Sequence, residues 1–336
     1  MPNILLKDIA LEAGVSVTTV SFVLNGKAKE KRISADIIQK VEQLIEVRNF
    51  KPNAFAKGLR TGKTTTIALI VEDIGNFFFG NVAKTIELVA YKKGYKVFFA
   101  STDNDDNKAN ELLAIMKNQR VDGLIIIPTA GMKQSIVQLM QKKIPFVLFD
   151  RYFPDIDTNY VVLDNYQGAY DLTQNIIEKG YRKIGFVTIQ SNMTQMVERK
   201  VGYQKCLLDN GIPFDEMRMI EFFFSAEAQI DMADLTRFFK SADLDAVFFA
   251  TNYLGICGLE CMQNLDIAIP ENMGVASFDD HDLFRLYSPS ISVVAQPVED
   301  LANKAIDLLL LLLSAPQTEE KRQIRVPAQL LIRKSL

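Results

Sequence analysis

Two sets of residues in this 336-residue chain have types and spacings suited to chemistry. One is a short run, Ser16, Val17, Thr18, Thr19, Ser21, Phe22 and Asn25, directly after Ala13-Gly14. Small hydroxyls, β-branched groups and an amide suit contact with the edges of base pairs and with thymine methyls. The other set is dispersed. Asp73, Asn76, Phe77, Phe78, Asp103, Asp150, Arg151, Arg199, Asn252, Asp279 and Gln296 each follow an apolar run or lie near the start of a helical one. Carboxylates, amides and guanidinium groups pair with vicinal hydroxyls, and phenyl rings stack on the apolar face of a sugar.

Other chemistries are thinly supported. His281 is the one histidine, so a histidine-based triad or a multi-histidine metal site is not expected. Cys257 and Cys261 share a helix face at a spacing of four, but no nearby Cys/His pair completes a zinc site, and core packing is expected for both. Gly62-Lys63-Thr64 hints at a phosphate loop, which also needs a glycine where Lys57 stands. The expectation is a protein that is no enzyme and needs neither cofactor nor metal.

The elements that would position these residues can be read from periodicity. A short helix over Lys7–Ala13 puts Ile9, Ala10 and Ala13 on one face, and Gly14 permits a sharp turn. Ser16 is a good N-cap for a helix over Val17–Asn25, with Val20 and Leu24 facing the core and Val17, Thr18 and Phe22 on other faces. A third helix over Ser34–Val47 carries Ile37, Val41, Leu44 and Ile45. Pro52 suits the first turn of a short hinge helix, which would be marginal by itself.

From Thr66 onward, apolar strands alternate with helical patterns. One series is Ile67–Val71, Lys96–Ala100, Gly123–Ile127 and Phe146–Phe149; a second is Tyr160–Leu163, Ile184–Val187, Met219–Phe223, Ala246–Phe249 and Gly274–Ser277. Such strands belong to parallel sheets covered on both faces. The fold class is therefore an N-terminal all-α helix-turn-helix headpiece joined to an α/β core of two doubly wound subdomains. The expected limits are 1–50 for the headpiece, 51–62 for the hinge and 63–336 for the core. The core divides into 63–161 with 291–322 and 162–290 with 323–336. Ligands of open α/β sheets sit beyond the carboxyl ends of the strands, where the dispersed polar set lies.

Composition agrees. Apolar residues make up 48% and charged ones 24%, ordinary for a soluble protein. The net charge of −3 hides an asymmetry, with +5 on residues 1–63 and −8 on the remainder, so one end favours a polyanion. No apolar stretch reaches membrane-spanning length, no export signal is visible, and the cysteines are sparse, so the expected location is the cytoplasm.

The segments Asp8-Ile9-Ala10, Ala13-Gly14-Val15-Ser16, Thr19-Val20-Ser21 and Val23-Leu24-Asn25 resemble, in order and spacing, the LacI-type (lactose-repressor-like) bacterial transcription regulators. The resemblance runs over essentially the whole chain. It implies a periplasmic-binding-protein-like core, double-stranded DNA with a pseudo-palindromic operator as partner, and a homodimer, with a tetramer left open. A small-molecule effector, a sugar or sugar derivative, would bind between the subdomains. It adds Asn53, Phe55 and Lys57 of the hinge as DNA contacts, with Phe55 where the family places its minor-groove wedge, and Phe224 as an aromatic effector contact. Phe22 departs from the family, which usually has arginine there, and Tyr253 stands where the family often has aspartate. The alternatives are a solute-binding protein without a transcriptional role and a regulator of a purine-like or phosphorylated effector.

Overall fold

The computed structural model describes residues 4–50, 64–223, 230–314 and 320–336. Its chain divides into two units, Met1–Thr64 and Thr65–Leu336.

In the first unit, α1 (Leu6–Ala13), α2 (Val17–Leu24) and α3 (Ala35–Val47) enclose a small core of Ile9, Ala10, Ala13, Val20, Val23, Ala28, Val41 and Phe50. Gly14 sits at φ 70°, the left-handed conformation that costs an L side chain, and reverses the chain between α1 and α2. Ser16 caps α2 as expected, accepting a hydrogen bond from Thr19 N at 3.1 Å. Val23 is the buried apolar residue at the end of α2, and the expected Leu24 is only half-buried against the same cluster. The reason is helical spacing: Val20 and Val23 lie three apart and share a face as readily as residues four apart.

The second unit contains two sheets. The strands of the first are β1 (Thr66–Val71), β2 (Lys96–Ser101), β3 (Gly123–Ile126), β4 (Phe146–Phe149), β5 (Tyr160–Leu163) and β11 (Gln323–Val326), ordered β11-β5-β4-β3-β1-β2 and paired in parallel. The second holds β6 (Ile184–Ile189), β7 (Met219–Phe222), β8 (Ala246–Phe249), β9 (Gly274–Phe278), β10 (Ser292–Ala295) and β12 (Gln329–Leu331), ordered β12-β10-β9-β8-β6-β7. Only β12 among the described strands runs antiparallel. The helices are α4 (Phe77–Lys92), α5 (Asp106–Asn118), α6 (Lys133–Gln141), α7 (Asn165–Glu178), α8 (Thr194–Asp209), α9 (Met232–Ser241), α10 (Asn252–Asn264), α11 (Asp282–Leu286) and α12 (Val298–Ser314).

Strand pairing corrects the expected subdomain limits. Tyr160–Leu163 opens no second series but pairs with β4 and β11 in the first sheet. Ser292–Ala295 belongs to the second sheet rather than the first, and Gln323–Val326 to the first rather than the second. The chain therefore passes between subdomains three times, after β5, β10 and β11. Apolar pattern alone marks a strand as buried on both faces but carries no information on its neighbour, so it does not place these edge strands.

Candidate DNA interface and effector cleft

Within the headpiece, Val17 and Thr18 are exposed on α2 and Phe22 is half-buried one turn further on. Asn25 is exposed, but its Nδ2 donates to Ser21 O at 2.6 Å and so helps close the helix. Ser21 itself is 9% exposed, facing inward rather than outward. Ser16 and Thr19 share a hydroxyl–hydroxyl bond of 2.9 Å at the helix start. Val17, Thr18 and Phe22 thus form the outward face, and Ser21 serves the helix. Asn53, Phe55, Lys57 and Phe224 lie outside the described residues.

In the core, the two sheets present the same device at equivalent places. β4 ends in Phe149-Asp150 and β9 in Phe278-Asp279, and both aspartates sit at φ 66°. Aspartate tolerates this conformation better than most residues, and such backbone strain concentrates at functional sites. Each aspartate holds an arginine. Asp150 Oδ2 accepts from Arg151 Nε at 3.0 Å, and Glu72 Oε2, just past β1, accepts from Arg151 Nη2 at 2.6 Å. Asp279 Oδ2 lies 3.4 Å from Arg199 Nη1, and Gln296 Nε2 donates to the other oxygen at 2.6 Å. Arg199 also donates to Asn165 Oδ1 at 2.9 Å and Ala250 O at 2.7 Å, and its guanidinium lies 3.7 Å from the Phe278 ring centroid.

Between the subdomains lies an open cleft. Asn76, Phe78, Asp150, Arg151, Arg199, Asn252, Asp279 and Gln296 line it, so most of the dispersed set converges. Phe77 faces an adjoining outer pocket, where its ring lies 4.4 Å from that of His281. Asp73 and Asp103 line neither pocket. Asp73 is exposed and accepts from Gly75 N in a tight turn, and Asp103 pairs with Lys108. Their neighbours Glu72 and Asn104 take the lining positions instead.

Burial opposes the Arg151 charge, but Glu72 and Asp150 outweigh it and hold the guanidinium above its ordinary pKa. Burial likewise keeps the Tyr253 phenol well above its ordinary value, so the ring enters the cleft neutral.

A model of bacterial regulatory proteins of the lacI family matches residues 5–53, and one of the periplasmic binding protein-like domain matches residues 173–336. The HTH-type transcriptional regulator KdgR of Bacillus subtilis (strain 168) is 30% identical over 98% of this chain and 97% of its own. This chain belongs to the LacI family of bacterial regulatory proteins. The ribose operon repressor of Haemophilus influenzae is 28% identical, with 96% of each chain covered. A crystal structure of the lac repressor dimer bound to operator and an anti-inducer has the same fold, with a TM-score of 0.86 at 20% identity over 99% of this chain and 98% of that one.

This LacI-family chain is thus a DNA-binding transcriptional regulator, with the headpiece and effector core of its class. Several cleft residues were not singled out from sequence. Glu72 could have been found by applying the strand-end rule one residue earlier. Gln195 precedes Arg199 by four and shares its helix face in the cleft. Gln195 is 7% exposed, and its Oε1 accepts no hydrogen bond among the described residues.

Proposed function

We propose that this regulator is a cytoplasmic repressor that acts as a homodimer on a pseudo-palindromic operator and answers to an uncharged, hydroxyl-rich effector, a sugar or sugar derivative, held in the cleft. The core is read as a binding module rather than a catalyst. One observation carries the effector class: both cleft arginines are already engaged by carboxylates, Arg151 by Glu72 and Asp150, Arg199 by Asp279. A phosphate or carboxylate ligand would have to compete with three buried or half-buried acids for two cations. A neutral polyol can instead accept from the guanidinium edges and donate to the carboxylates and to Gln195. Phe78 and Tyr253 supply faces for its apolar side.

Pairing is supported by apolar groups left exposed on the α4 side of the first subdomain: Leu88 and Tyr91 of α4, and Phe99 of the edge strand β2, on which α4 packs. Scattered exposed apolar residues are ordinary, and these three are read as an interface because they share one helix-covered sheet edge.

A thermal-shift screen of the full chain against neutral sugars, sugar phosphates and purine bases tests the effector class. A ligand at 100 times its Kd stabilises by about 2.7 kcal/mol, which moves the melting temperature by several degrees. Stabilisation by phosphorylated or purine compounds alone would reject the neutral-sugar assignment.

A further inference from the structure

Phe22 carries no hydrogen-bond donor, so position 22 by itself cannot read a guanine acceptor. Its ring, however, carries a cation. Lys31 Nζ lies 5.6 Å from the Phe22 ring centroid, within the range where a ring face attracts an ammonium group.

The loop that brings Lys31 there is tied down along its length. Lys27 N donates to Phe22 O at 2.9 Å, fastening the loop to the end of α2. Lys31 N donates to Lys27 O at 3.1 Å, closing a turn, and Ile33 N donates to Ala28 O at 3.0 Å. Ala28, 6% exposed, plugs the middle of the loop into the headpiece core. Lys31 is exposed and forms no ion pair among the described residues, although Glu30 adjoins it. Its ammonium retains its donors and lies beside Phe22, one turn along α2 from the exposed Thr18.

We propose that Phe22 and Lys31 form one composite reading element: the ring packs on a thymine methyl and props the Lys31 ammonium, which donates to guanine O6 or N7 at the adjoining base pair. The proposal rests on α2 being the recognition helix. Lysine to guanine and an apolar group to the thymine methyl are both ordinary major-groove contacts. A lysine already resting on a ring also has less rotamer freedom to lose on binding than one in open solvent. A lysine that touched only phosphate would add affinity without sequence preference.

The test is a binding-site selection from a randomised duplex library with the full-length wild-type chain and Lys31→Gln, Lys31→Arg and Phe22→Leu variants, each checked for folding by circular dichroism. The wild type should select a pseudo-palindrome with a thymine–guanine step in each half-site. Lys31→Gln should lose the guanine preference at that one position by about 5-fold or more. Lys31→Arg should keep it, and Phe22→Leu should weaken it at the same position. A uniform loss of affinity across all sequences in Lys31→Gln would make Lys31 a phosphate contact and overturn the proposal, as would an unchanged motif. If the wild type selected no motif at all, the recognition-helix assignment would fall first and the composite element with it.

Discussion

Arg325, on the edge strand of the first sheet, grips Glu198 on helix α8 of the second subdomain with both prongs of its guanidinium: Nη1–Oε2 is 3.1 Å and Nη2–Oε1 is 2.9 Å. Tyr152 completes the contact, accepting from Arg325 Nη2 at 2.7 Å and donating to Glu198 Oε1 at 3.3 Å. The pair joins two subdomains whose relative motion would carry the effector signal. Because Arg325 is over a third exposed, its contribution is modest despite the geometry. A double-mutant cycle of Arg325→Ala and Glu198→Gln should give a coupling energy of about 1 kcal/mol in urea denaturation. A coupling near zero would mean that the clamp contributes nothing in solution.

Arg199 is the buried counterpart, 3% exposed with its partners Asn165, Ala250 and Asp279 all enclosed. Removing one member of a buried pair strands the other charge. Arg199→Ala should therefore destabilise the core by about 3–5 kcal/mol and abolish the effector response. Denaturation followed by circular dichroism decides it; a cost under about 1 kcal/mol would show that Asp279 finds water or another donor.

How much of this was legible beforehand depends on the range of the interactions involved. Ala13-Gly14 and Ser16 specify their turn locally, and the structure reproduces it. Most strands were equally legible, because Ile67–Val71 or Ala246–Phe249 needs only a local apolar run. The sheet membership of Tyr160–Leu163 and Ser292–Ala295 was not, because strand partners are chosen by contacts over long sequence separations. Asp150, Arg151 and Asp279 were visible as strand-end residues. Asp73 and Asp103 obeyed the same rule and yet turned away, since a one-residue shift at a strand end redirects the side chain. The Arg325–Glu198 pair, separated by 127 positions, left no sequence signal.

Gly202 marks where α8 approaches α7 most tightly. A Cβ there would lie 2.3 Å from Tyr166 O and 3.1 Å from the Ala169 Cβ. The nearest atom is backbone and cannot swing aside. Gly202→Ala should cost about 1–3 kcal/mol through overpacking, even though alanine is the better helix former. A variant as stable as the wild type would show that the two helices can separate freely.

Cys206 is fully buried, and burial pushes its thiol up to about 12. The thiol is thus protonated and inert in the folded protein at neutral pH. Maleimide should label it at pH 8 only as fast as the core unfolds. A folded-state pKa above the unfolded one means the associated stability is complete below about pH 8.5 and falls as pH rises from there toward 12. Rapid labelling of Cys206 in the native protein would contradict this burial.

Gln195 offers the sharpest separation of stability from function. Its Oε1 is buried in the cleft wall with no partner among the described residues, four residues before Arg199. An unsatisfied buried acceptor costs about 1–3 kcal/mol, so a side chain of similar size without it should not destabilise the core. Gln195→Leu should melt at or above the wild-type temperature. If the effector supplies the missing donor, the same change should weaken its binding about tenfold, the equivalent of one hydrogen bond of about 1.4 kcal/mol. Calorimetry on the first compound that stabilises the wild type measures both quantities in one pair of proteins. Lower stability with unchanged affinity would place Gln195 in the packing of α8 and take it out of the effector site.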